Sequence, residues 1–231
     1  LVGAALRLAA VVAFCVAASS AARAEGCRLA LLLALDVSSS VDEAEYRLQK
    51  EGLAAALSDL DVRRALLEGD ERVALAVYEW SGRRQSTVVL DWVLLADEAA
   101  LQRAVDTVLA APRSHDRFPT AMGFALGYGA GVLERAPACT RQVIDVSGDG
   151  ITNDGFRPQQ AYAHFPFAGV TVNGLAVLGS DPRVVHYFRG EVAHGPGAFV
   201  EVAEGYADFR RAMTLKLFRE LNDMIVGALT R

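Results

Sequence analysis

Residues 29–35 read LALLLAL, an apolar run with no polar position to turn toward water. A short uninterrupted run of this kind has the pattern of a strand covered on both faces, and such strands belong to parallel sheets sandwiched between helices. The run ends abruptly in Asp36-Val37-Ser38-Ser39-Ser40. A carboxylate at the margin of an apolar sheet is costly unless a partner compensates its charge. The first strand therefore constrains the fold class and also marks a site.

The rest of the chain alternates strand-like and helix-like stretches. Residues 41–60 switch to helical spacing, with Tyr46, Leu53, Leu57 and Leu60 along one side. Further strands are predicted at 72–78, 87–94, 142–146, 170–178 and 198–202. Helices are predicted at 97–110, 121–134 and 158–165 and from Ala207 onward, with a helical turn at 183–188. Only about a dozen residues separate the centres of the second and third strands, with SGRRQ between them, too little for a crossover, so these two form an antiparallel hairpin. The expected fold is α/β, a doubly wound, mostly parallel six-stranded sheet with one antiparallel edge strand. Sheets of this class bind ligands beyond the carboxyl ends of their strands, and Asp36 lies at such an end. Phe209, Met213, Leu217, Leu221 and Met224 form a stripe on the last helix that reads as core packing.

Arg7, the apolar residues 8–18 and Ala22-Arg23-Ala24 read as a secretory signal cleaved before Glu25. The apolar stretch is short for a permanent membrane span, so no stable membrane insertion of the mature chain is expected. Residues 25–231 then form one domain in the periplasm or outside the cell. Removing Arg7 and Arg23 leaves 21 basic against 28 acidic residues, a net charge near −7. That balance excludes a binder of nucleic acid or of anionic membranes, which depends on basic patches. Cys27 and Cys139 are the two cysteines that remain, and an even number in an exported chain points to a disulfide.

Asp36, Ser38 and Ser40 alternate along the loop leaving the first strand, so their oxygens can converge. One carboxylate and two hydroxyls are hard donors suited to Mg²⁺ or a similar cation. On these residues alone a second reading is equally open: Asp36 or Ser40 caps the helix that starts near Val41, with Glu43 completing a capping box.

Two later segments bear on that choice. RFPTAMGFAL places Thr120 at the entrance to a helix, and CTRQVIDVSGDG places Asp149 and Gly150 just past another apolar strand. Together with DVSSS, these resemble the von Willebrand factor A-type (VWA) domain and its metal-ion-dependent adhesion site. The family pattern matches Asp36, Ser38 and Ser40, then Thr120 with Ala125 and Leu126, then Asp149 with Gly150. The resemblance implies strand order 3-2-1-4-5-6 and a site for Mg²⁺, or alternatively Mn²⁺ or Ca²⁺. It further implies direct ligation by Ser38 and Ser40, with Thr120 joining in the ligand-bound state, and a water-mediated role for Asp36 and Asp149. The remaining position takes an Asp or Glu carboxylate from a partner protein, which makes the site an adhesion contact and not a catalyst. The implied strand order also places the amino ends of the first and fourth strands side by side, so Cys27 is expected to bond to Cys139. DVSGDGITNDGF and the signal look most like an exported bacterial branch of these domains. The chain departs from the family at Phe118-Pro119, where a fixed proline φ stiffens the loop before Thr120.

The alternative function is a metal-dependent hydrolase or phosphatase using Asp36. Dehalogenase-type phosphatases need a second carboxylate where Ser38 stands, and no G-x-S-x-G occurs. Glu79, Trp80 and Ser81 read as rim residues or a plain strand end, and Asn153-Asp154-Gly155 as a turn. His115, His164, His186 and His194 lack metal-ligand spacing. GYGAGV at 127–132 lacks the order of a dinucleotide loop and reads as helix packing.

Overall fold

A computed structural model describes residues 26–229, with side chains described through Asn222. The segment read as a signal lies outside the described residues, as does the side chain of Met224. The first strand, β1 (Cys27–Asp36), is followed by α1 (Glu43–Leu57), α2 (Leu60–Leu67) and the hairpin β2 (Arg72–Trp80) and β3 (Ser86–Leu94). Then come α3 (Glu98–Ala110), α4 (Met122–Leu133), β4 (Cys139–Gly148), α5 (Pro158–His164) and β5 (Val170–Val177). Next, α6 (Val184–Tyr187) runs into a π-helical turn, and β6 (Val200–Ala203) and α7 (Phe209–Leu229) close the chain.

The sheet order is β3-β2-β1-β4-β5-β6, parallel throughout except for β3. This is the expected topology. Alternation along β1 splits the core into two layers. Leu29, Leu31, Leu33 and Leu35 pack with α1, α2, α3 and α7, while Ala30, Leu32 and Ala34 pack with α4, α5 and α6. Both sets are buried, which is why the run shows no polar position. Among the described residues no helix is long and apolar enough to cross a membrane.

Several boundaries differ from the sequence reading, among them the ends of β2 and β4, which run beyond their predicted spans. The helix predicted over 41–60 ends at Leu57, and a further helix that the sequence reading did not predict follows it: Asp59 accepts from the backbone of Asp61 and starts α2, and Leu60 is exposed instead of joining the stripe. The apolar period runs on across this break, so periodicity alone misses it. The cap of α1 is Asp42 with Glu45 in a reciprocal capping box, further along the chain than a cap at Asp36 or Ser40. That shift frees Ser40 for other contacts. Finally, β6 starts at Val200 because the Asn173 side chain takes the Phe199 N–H at 2.9 Å.

Gly127 and Gly129 of α4 behave as packing residues, whereas Gly131 faces open space. A Cβ on Gly129 would lie 2.8 Å from the Tyr78 hydroxyl, so α4 approaches the sheet closely only because that position is bare.

Candidate metal centre

Three loops at the carboxyl edge of the sheet bring Asp36, Ser38, Ser40, Thr120 and Asp149 together. β1 delivers Asp36 fully buried, and its Oδ1 accepts the Ser38 N–H at 2.8 Å, which bends the chain over the strand end. Ser38 Oγ lies 3.1 Å from Ser40 Oγ, and Ser40 Oγ donates to Asp149 Oδ1 at 2.8 Å. Thr120 Oγ1 donates to Ser38 Oγ at 3.3 Å. The five residues thus form one cluster of oxygens, drawn from segments far apart in the chain.

The cluster is short of positive charge. Burial, followed by the nearby Asp149 carboxylate, pushes the Asp36 carboxyl up to about 7, against the pull of its Ser38 hydrogen bonds and of Arg113. Asp36 Oδ2 is buried with no hydrogen-bond partner among the described residues. It is pressed against Gly148, where an added Cβ would sit 2.9 Å away, so glycine at the end of β4 is what admits this carboxylate. A divalent cation fits this donor set of hard oxygens, an orphaned carboxylate oxygen and two like charges. No group of three His, Cys, Asp or Glu side chains converges among the described residues, so the cluster rests on two carboxylates and on hydroxyls.

Neighbouring residues hold the cluster in place. Thr120 is gripped through its backbone: its N–H donates to Asn153 Oδ1 at 2.9 Å, and its carbonyl accepts from Asn153 N–H at 3.0 Å. Asn153 therefore does more than turn the chain. Asp154 is paired with Arg83 of the β2–β3 hairpin at 2.6 Å, which ties this loop to the hairpin tip. Glu79 is not a rim residue. It is buried, accepts the Tyr46 hydroxyl at 2.7 Å and the Ser114 N–H at 2.7 Å, and so joins α1 to the segment before Thr120.

Several contributors escaped the sequence reading. Ser180 Oγ donates to Asp149 Oδ2, and Gln49 Nε2 donates to the Asp36 carbonyl at 2.9 Å while its Oε1 accepts from Ser147. Gln49 carried a signal, being a polar residue three positions from Tyr46 on the buried side of α1. Ser180 and Arg113 carried none, because nothing near them in sequence marks their partners. His115, His164, His186 and His194 make no hydrogen bond to the five clustered residues, and His194 instead stacks on Tyr162 with centroids 4.0 Å apart.

A family model described as Protein of unknown function (DUF1194) matches residues 26–225. No curated protein matches the chain significantly. Among solved structures the chain is similar to proximal thread matrix protein 1 (PTMP1) from the mussel byssus with a zinc-occupied MIDAS motif. That alignment has 15% identity and TM-score 0.63, over 85% of this chain and 48% of that one. It is also similar to von Willebrand factor type A from Catenulispora acidiphila, at 16% identity and TM-score 0.60 over 85% and 43% of the two chains. A third likeness is to the pilus adhesin SpaC from Lactobacillus rhamnosus GG, at 13% identity and TM-score 0.59 over 86% and 31%. The chain spans about half or less of the length of these structures. Identities this low establish the fold, which is of the VWA type.

Proposed function

We propose, from the premise that this chain belongs to the family described as Protein of unknown function (DUF1194), that it is an exported module that binds a partner protein through a divalent cation. The observation that carries the reading is the convergence of Asp36, Ser38, Ser40, Thr120 and Asp149 into one oxygen cluster around an unsatisfied carboxylate. Those five residues would hold Mg²⁺, or Mn²⁺ or Ca²⁺. When bound, the cation supplies positive charge and an open position for an Asp or Glu carboxylate of the partner. Asp36 and Asp149 balance that charge, Ser38, Ser40 and Thr120 contribute neutral oxygens, and Asn153 keeps Thr120 in reach. A zinc-occupied MIDAS motif in the mussel protein and the adhesin likeness support this reading.

Export is part of the same proposal: residues 1–24 are a cleaved signal and residues 25–231 one VWA-like domain, periplasmic or secreted. The Cys27–Cys139 disulfide supports an oxidising compartment. A binding role is favoured over a hydrolase because Asp36 is fully buried with one oxygen committed to the Ser38 amide, a poor placement for a nucleophile.

Titration calorimetry of the wild type against Ser38→Ala/Ser40→Ala tests the site. Weak, reversible Mg²⁺ binding by the wild type alone is expected, because most donors are neutral. Equal binding by both proteins removes the assignment. Metal-dependent turnover of an ester or phosphoester panel, abolished by Asp36→Ala, would replace the binding module with an enzyme.

A further inference from the structure

One distant side chain holds three carbonyls of the loop after β1, and other segments hold further backbone groups of it. The Asp36 carbonyl is taken by Gln49 at 2.9 Å, the Val37 N–H by Trp80 O at 2.9 Å and the Ser39 N–H by Phe118 O at 2.8 Å. The carbonyls of Val37, Ser38 and Val41 all face Nη2 of Arg113, at 3.2, 3.3 and 2.7 Å. Arg113 is itself pinned. Its Nε donates to His115 O at 2.8 Å, Nη1 lies 3.8 Å from Glu43, and the guanidinium carbon stands 5.2 Å from the Tyr46 ring centroid. Its side chain is 10% exposed.

We propose that Arg113 is a positioning residue that decides which cation the site accepts, an inference that rests on the metal-binding reading above. Ca²⁺ takes six to eight oxygens in a flexible shell that readily includes main-chain carbonyls, whereas Mg²⁺ keeps several waters and needs few protein donors. With the carbonyls of Val37, Ser38 and Val41 turned toward the guanidinium, those three oxygens are withheld from a cation, which is left chiefly with the side-chain oxygens of Asp36, Ser38 and Ser40. The donor set is then too small for Ca²⁺ and suits a compact octahedral cation such as Mg²⁺ or Mn²⁺. Arginine fits this task because its planar group donates in several directions, accepts nothing and stays charged. A lysine ammonium could meet carbonyls at one point but would lose the Nε bond to His115 O that fixes the arginine side chain.

The test is calorimetric titration of the full chain with Mg²⁺ and with Ca²⁺ for the wild type, Arg113→Met and Arg113→Lys. Folding of each is checked by thermal unfolding in chelator. In Arg113→Met the Mg²⁺ affinity is expected to fall about tenfold, the usual scale for a residue that orients metal ligands. Ca²⁺ affinity should hold or rise, so that the ratio of the two changes. Arg113→Lys should lie between, and it carries the comparison if the methionine variant does not fold. An unchanged Mg²⁺/Ca²⁺ ratio in the folded variants, or tighter binding of both cations without arginine, overturns the proposal. Amide exchange of residues 38–41 in chelator provides a reading without metal: faster exchange in the variants supports the clasp, and unaltered exchange overturns it. If the wild type binds neither cation, the function proposed above fails and the selectivity falls with it. The exchange result then still decides whether Arg113 holds the loop.

Discussion

Asp36 sits between an apolar strand and a second carboxylate, and its protonation reports on both. A carboxyl whose pKa rises from 3.8 to about 7 on folding contributes stability that is fully present below the unfolded value and lost as pH rises through the folded one. The metal-free chain is therefore expected to lose stability as pH climbs from about 4 to about 7, on the order of a few kcal/mol at most. Asp36→Asn should flatten that part of the profile, and thermal unfolding in chelator across the same range measures both. Cation binding needs the ionised form, so apparent Mg²⁺ affinity should drop as pH falls below about 7. An affinity independent of pH would place Asp36 outside the site.

The last helix shows what an amphipathic pattern hides. Phe209, Met213, Leu217 and Leu221 are buried as their spacing requires, yet Lys216 and Glu220 are buried beside them. Lys216 pairs with Asp145 of β4, and Glu220 pairs with Arg141 at 3.1 Å while accepting from Asn173. Neither Asp145 nor the Lys216 ammonium has another hydrogen-bond partner among the described residues. Lys216→Met should strand a buried carboxylate and cost about 3–5 kcal/mol. Adding Asp145→Leu should restore most of that loss, because a buried ion pair is often no better than apolar groups of similar volume. Urea unfolding of both single variants and of the double variant measures the coupling, and losses that simply add would show that there is none.

Across the whole molecule, the disulfide and the oxygen cluster occupy opposite edges of one sheet. Cys27 and Cys139 are register partners on adjacent parallel strands, with Cα atoms 4.4 Å apart and 112 residues between them in sequence. Closing so long a loop is worth roughly 4–5 kcal/mol in the chain-entropy model. Cys27→Ser/Cys139→Ser should lower the unfolding free energy by about that amount, less any strain. It should leave Mg²⁺ affinity unaltered at temperatures where both proteins are folded, since the bridge braces the far ends of the strands that carry Asp36 and Asp149. Paired urea and calorimetric titrations check the two halves of this expectation, and a loss of cation affinity in the folded variant would show that the edges are coupled.

How much was legible depends on the range over which each feature is encoded. The buried strand, the main helix periods and the short hairpin connection could be read directly, because periodicity is local, whereas the five oxygen-bearing residues were grouped only by the resemblance to the VWA pattern. The two cysteines could be paired once the strand order was expected, since parallel neighbours start side by side. The end of α1 and the separate helix α2 were missed because Leu60 continues the apolar spacing past Ser58 and Asp59, and the cap at Asp42 because Asp36 and Ser40 stand close by as rival capping residues. Arg113, Ser180 and the buried Lys216 were decided by tertiary structure alone. Their partners lie 31 to 76 residues away or on another element, and a charged side chain carries no local mark of whether it meets water, a carbonyl or an opposite charge. Local chemistry is written along the chain, but the compensation of a buried polar group depends on which distant segment the fold brings against it.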